Sequence, residues 1–71
     1  MKRCYRVAFV GNIECDYIWS DNDEEAIEKA MQIANDGIDY SDGSHCELQV
    51  LQVVEVDDNN EFFTEKRVIF V

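Results

Sequence analysis

Positive charge is scarce in this chain: six Lys and Arg stand against sixteen Asp and Glu in 71 residues, a formal net charge of −10. A field of that sign repels nucleic acid and anionic membrane surfaces, so direct binding to DNA, RNA or lipid is not expected. Long apolar runs are missing too. No stretch approaches the roughly 18 residues of a membrane helix, and Met1-Lys2-Arg3 leads into a strand-like pattern rather than a signal-peptide core. The expectation is a soluble, untargeted, cytoplasmic chain. Its three cysteines, Cys4, Cys15 and Cys46, are odd in number and lack CxxC spacing, which argues against a disulfide framework or a zinc knuckle and for reduced thiols.

The residues for catalysis are equally thin. His45 is the only histidine, and a metal or nucleophilic site built on His45 and Cys46 needs further ligands or an orienting acid. Neighbouring strand residues also point to opposite faces, so the two do not readily share a site. Asp39, Ser41 and Asp42-Gly43 miss the D-x-D-x-D-G spacing of a calcium loop, and no Gly-rich phosphate loop or GxSxG elbow occurs. General acid-base work needs carboxylates in a water-poor pocket, whereas these fall on turns and exposed helix positions. No metal, cofactor or enzymatic activity is expected.

What is present describes one domain over residues 1–71. Hydrophobic residues make up 46% and include four Phe, three Tyr and one Trp, which is enough apolar material to fold. A chain this short buries only about 60% of the surface exposed by its unfolded form, leaving little core to give up to a deep cleft. Tyr5, Val7 and Phe9 alternate as in a half-buried strand, Gly11-Asn12 breaks the run, and Ile13, Cys15, Tyr17 and Trp19 alternate again. This is a hairpin. A three-residue loop pairs Phe9 with Cys15, Val7 with Tyr17 and Tyr5 with Trp19, which keeps the aromatic residues on one core face; a two-residue Gly11-Asn12 turn would instead set Val7 against Asp16.

A helix follows. Asp21 and Glu24 have the spacing of a capping box, Ala26, Ile27, Ala30, Met31 and Ala34 share a face, and Glu28 and Gln32 point elsewhere. Gly37 ends the helix, with Ile38 packing back on the last turn. Residues 39–45 have loop composition. The run from Cys46 to Val56 is β-rich, but its alternation slips near Leu51 and Gln52, predicting a β-bulge or a stretch covered on both faces. Asp57-Asp58-Asn59-Asn60 signals a turn, and residues 62–71 supply a last strand with Phe63, Ile69 and Val71 on one face. The fold class is α+β in the order β-β-α-β-β, a four-stranded antiparallel sheet with one helix on one face. One helix cannot cover four strands on both sides. The uncovered face, or the Val68-Ile69-Phe70-Val71 end, is expected to meet a partner or a second copy in a homodimer.

All sixteen acids lie between Val7 and Glu65, where Lys29 is the only base. Glu14 and Asp16 on the hairpin and Asp21, Asp23, Glu24 and Glu25 at the helix start are the candidate partner-binding residues. Carboxylates pair with Lys and Arg by the same charge-assisted bonds that phosphates use, so such a surface suits a cationic groove. Helix starts and turns also favour acids for reasons of their own, which leaves solubility as the competing explanation. Asp57, Asp58 and Glu61 are read as an ordinary turn.

The layout of the Tyr5-Arg6-Val7-Ala8-Phe9-Val10 hairpin, the Asp23-Glu24-Glu25-Ala26-Ile27-Glu28-Lys29-Ala30 helix and the terminal hairpin resembles small acidic phage-encoded proteins, including anti-CRISPR inhibitors. The resemblance implies a partner that is a basic host nuclease or RNA-guided nucleoprotein complex in the host cytoplasm, blocked from nucleic acid without any direct nucleic-acid contact by the inhibitor. The first hairpin and helix also resemble the partial double-stranded-RNA-binding-like domain of some antitoxins, although the glycine- and proline-rich segment usual between strand and helix is missing. The alternative function is a homodimeric interaction or regulatory module that recognises another protein by its sheet.

Overall fold

The computed structural model describes residues 2–11, 14–57 and 64–71. Two strands, β1 (Arg3–Phe9) and β2 (Cys15–Ser20), precede the helix α1 (Asp23–Asp36); a short pair, β3 (Ile38–Asp39) and β4 (His45–Cys46), and two longer strands, β5 (Val50–Asp57) and β6 (Thr64–Phe70), follow it. The main sheet is antiparallel with order β2-β1-β5-β6. The α+β architecture is therefore the one expected, with the β3–β4 pair formed across the two ends of what reads as a loop. Residues 58–60 of the expected turn, together with Phe62 and Phe63, lie outside the described residues.

Local chemistry sets the helix ends. Asn22, not Asp21, is the N-cap: its backbone is extended and its Oδ1 accepts from the Glu25 N–H at 2.8 Å. The capping frame thus starts one residue later than the sequence suggests. Asp23, Glu24 and Glu25 occupy the first turn, where the helix dipole favours negative charge. Gly37 ends the helix at φ +67°, and its N–H donates to the Ile33 carbonyl at 3.1 Å. Ile38 is half-buried and pairs with Cys46 across the small sheet.

The hairpin register differs from the expected one by a residue. Val7 lies opposite Asp16, Tyr5 opposite Ile18 and Cys4 opposite Trp19. The expected register put Tyr5, Tyr17 and Trp19 on one face; in the structure they divide. Tyr5, Val7 and Phe9 are buried with Val50, Val53, Ala26, Ala30 and Ala34 beneath the helix, and Ile18 packs at the margin. Tyr17 and Trp19 turn to the other face, each nearly half exposed, beside a smaller buried group of Cys4, Val54 and Val56. The physical reason lies on the edge strand. β2 is only partly covered by α1, so Asp16 can share the helix side with Val7 and still reach water, whereas Ser20 and Ile18 fill the covered part.

The slip expected near Leu51 is a bulge. Ala8 pairs with Gln52 and Phe9 with Val50, leaving Leu51 as the extra, exposed residue. Pairing of β5 with β6 shifts register twice more, between Val53 and Val54 and between Glu55 and Val56. In β6 only Ile69 and Phe70 are partly buried, and Val71 is exposed rather than sharing a covered face with Ile69.

Candidate functional site

Each of the six bases is committed to a carboxylate of its own chain. Lys2 pairs with Asp21, Arg3 and Arg67 with Asp23, Arg6 with Glu65, Lys29 with Glu25, and Lys66 and Arg67 with Glu55. The tightest group joins β6 to the helix start. Arg67 donates from Nη1 to Asp23 Oδ2 at 2.7 Å and from Nη2 to Asp23 Oδ1 at 2.8 Å, while its Nε and Nη2 also reach Glu55 Oε1 at 3.2 and 2.8 Å. The Tyr5 hydroxyl donates to Asp23 Oδ1 at 2.8 Å. The Arg67 bonds, followed by the Tyr5 bond, hold the Asp23 carboxyl below its usual range, and Arg67 is held correspondingly more basic. Burial, then the bond to Asp23, pushes the Tyr5 phenol up. Glu55 is a buried carboxylate, and such a group is retained only when paired in this way.

These pairs redistribute the candidate acids. Asp23 is turned into the network, and Asp21 and Glu25 each have a lysine partner, so three of the six are engaged internally. Glu14 and Asp16 lie at the far end of β2: five residues at about 3.3 Å each separate Asp16 from Asp21 by roughly 16 Å. The six expected residues therefore do not form one compact patch. Lys29 explains part of this division, because its Nζ donates to the Trp19 carbonyl at 2.6 Å and tethers the Glu25–Lys29 flank of the helix to β2.

The opposite flank carries two carboxylates that stand outside these pairs. At 3.6 residues per turn, Glu24, Glu28, Met31 and Asn35 fall in one stripe on the side of α1 away from Lys29. Glu24 and Glu28 are exposed and have no ion-pair partner among the described residues. Glu28 was legible only as an outward helix position; the stripe emerges once Lys29 shows which flank faces β2. Met31 then opens on a cavity of about 370 Å³ between the second half of α1, the start of β5 and the end of β6, lined by Ala34, Glu47, Leu48, Val50 and Phe70 as well. The segment that forms its far wall is fixed by the Leu48 N–H donating to the Ala34 carbonyl at 2.9 Å.

The remaining chemistry is sparse. His45 Nδ1 lies 2.6 Å from Asp39 Oδ1 across the small sheet, and Ser44 donates from both its backbone N–H and its hydroxyl to Asp42, holding that carboxyl below the usual range. No group of three or more potential metal-ligating side chains converges among the described residues. All three cysteines are free, with Cys4 buried and Cys15 and Cys46 exposed. No helix among the described residues is long and apolar enough to cross a membrane. The chain matches no protein-family model, no curated protein sequence and no solved structure.

Proposed function

We propose that this chain is a non-enzymatic inhibitor that binds a basic protein or nucleoprotein surface of the nuclease type through its helix-side carboxylates and so blocks nucleic-acid access. The observation that carries this reading is the division of charge: every Lys and Arg is spent on an internal ion pair, while Glu24 and Glu28 remain open to solvent on one flank. A surface of that kind offers a phosphate-binding groove carboxylates at fixed positions on a rigid helix, and electrostatic attraction accelerates their encounter. Internal pairing also supports selectivity, because it leaves the protein little cationic surface with which to hold nucleic acid itself.

The test is inhibition of nucleic-acid binding by purified RNA-guided nuclease complexes and by unguided basic nucleases, measured with and without the chain at rising salt. Loss of nucleic-acid binding by one of them, reversed by salt and weakened by Glu24→Gln with Glu28→Gln, is the expected result. Inhibition indifferent to both salt and these substitutions contradicts it, as does absence of inhibition across the panel.

A second reading rests on the sheet face away from the helix. Tyr17, Trp19 and Val68 are each about 46–47% exposed there, and the charged pair Arg6–Glu65 on that face neutralises itself. Two copies stacked on this face would bury the aromatic residues and keep the acidic helices apart, which supports a homodimeric module.

A further inference from the structure

The cavity beside Met31 adjoins β6, which is an edge strand with β5 as its one neighbour among the described residues. Edge strands present unpaired backbone donors and acceptors, and they are normally protected by charge, bulges or cover. Here the edge carries Lys66 and Arg67 toward one end, where both are drawn to Glu55 and Arg67 also to Asp23; the other end, Val68 to Val71, has no charged side chain. That end carries one of the register shifts against β5, at Val53/Val54, but no charge, and Met31, Ala34, Leu48, Val50 and Phe70 line an open apolar groove beside it. Its walls are acidic. Glu28 and Glu24 precede Met31 on the helix stripe, and Glu47 lines the groove itself.

An edge strand beside a strand-helix groove is the arrangement by which an extended peptide adds to a sheet: main-chain bonds to the edge supply affinity, and alternate side chains entering the groove supply selectivity. We propose that the end of β6 and the groove beside Met31 form a docking site for an extended segment of the basic partner, with an apolar side chain seated against Met31, Leu48 and Phe70 and flanking Lys or Arg residues meeting Glu24, Glu28 and Glu47. This rests on the proposed function for the sign of the partner's charge and adds how that partner is held. The occupant is fixed by charge complementarity: the groove is apolar at its base and anionic at its rim, so a segment that is apolar alone leaves the carboxylates unmatched, and one that is acidic is repelled. A second copy of this chain meets the same objection, because its net charge is −10.

Two synthetic peptides separate the groove from the charge. One carries a central Phe with a lysine two residues to either side and Ser at the remaining positions, so that Phe and both lysines share one strand face; the other replaces the Phe with Ser. Titrated into the full chain and followed by backbone amide and methionine methyl resonances, the Phe peptide should bind about tenfold tighter or more, a preference equal to burying one large side chain. Its shifts should centre on β6 residues 68–70 and on Met31 and Leu48. Met31→Gln, an uncharged change of similar size at a 40%-exposed position, should erase the preference while leaving the serine peptide's weaker, salt-sensitive binding nearly in place. Equal affinity for the two peptides, or shifts confined to Glu24 and Glu28, overturns the docking site and leaves the electrostatic function standing. Failure of both peptides to bind at low salt overturns both.

Discussion

Arg67 grips Asp23 with two parallel bonds of 2.7 and 2.8 Å across 44 residues of sequence, so the last strand is fastened to the first residue of the helix. The same carboxylate accepts from Tyr5 on the central strand β1. Three elements that meet at the start of α1 are thereby held by one side chain, and the stripe that begins at Glu24 has a fixed starting point.

Removing the phenol hydroxyl isolates one of these bonds. Tyr5→Phe keeps the buried ring and should cost about 1 kcal/mol, a fall in Tm of roughly 4–8 °C for a domain of this size. Asp23→Asn weakens the contacts to Arg67, Arg3 and Tyr5 together and should lower Tm further. Thermal unfolding at neutral pH checks both, and an Asp23→Asn protein at least as stable as the Tyr5→Phe protein would show that the network does not fasten the helix.

The pH dependence follows from the same carboxyl. Asp23 in the folded chain titrates below its ordinary value of 3.8, so its ion pairs contribute fully above that value and are lost as pH falls through the depressed folded pKa. Wild type should therefore exceed Asp23→Asn in stability at neutral pH, and the difference should shrink only below the ordinary carboxylate range. A difference already gone at pH 5 contradicts the assignment.

Gly37 is the glycine that the fold cannot replace. At φ +67° and ψ −155° it occupies a region nearly restricted to glycine, and a Cβ there would stand 2.2 Å from the Cys46 carbonyl oxygen. Gly37→Ala should cost about 3 kcal/mol or more, close to unfolding a domain of this size. Gly43→Ala meets no atom within 4 Å and should cost only the roughly 1–2 kcal/mol of its left-handed backbone. Chemical denaturation of the two variants gives the comparison, and equal losses would show that Cys46 does not approach the helix end.

For the homodimer reading, light scattering at micromolar concentration should give twice the 8.3 kDa chain mass, and Tyr17→Ser with Trp19→Ser should return it to the monomer. A monomer in the unsubstituted protein removes that reading.

Much of this architecture was legible in the residues. Ala26, Ala30 and Ala34 marked the buried helix stripe by spacing, although Met31, read on the same face, is exposed, and the broken alternation at Leu51 marked the place of the bulge without separating it from a stretch covered on both faces. Hairpin register was harder, because grouping Tyr5, Tyr17 and Trp19 on one face maximises apolar burial only if that face is the covered one. The chain instead shields Tyr5 beneath the helix and gives the other two to the open side. Among the acids, sequence identified the helix start but could not tell Asp23 from Glu24. That distinction depends on Arg67, which reaches Asp23 only after β6 is placed beside β5. Glu28 became part of the surface for the same reason, once the contact from Lys29 to the Trp19 carbonyl showed which flank of the helix was left free.

The most direct measurement compares two charge variants in one competition assay, displacement of nucleic acid from a nuclease complex that the unsubstituted chain inhibits. Glu24→Gln with Glu28→Gln removes the two carboxylates on the free flank of the helix; Asp21→Asn with Glu25→Gln removes two that already have lysine partners. At about 1.5–3 kcal/mol for each charge-assisted contact, the first variant should lose affinity by about a hundredfold or more, and the second should change by only a few-fold. Retained inhibition by the first variant, with loss in the second, would contradict the assignment of the binding surface to the free flank of the helix.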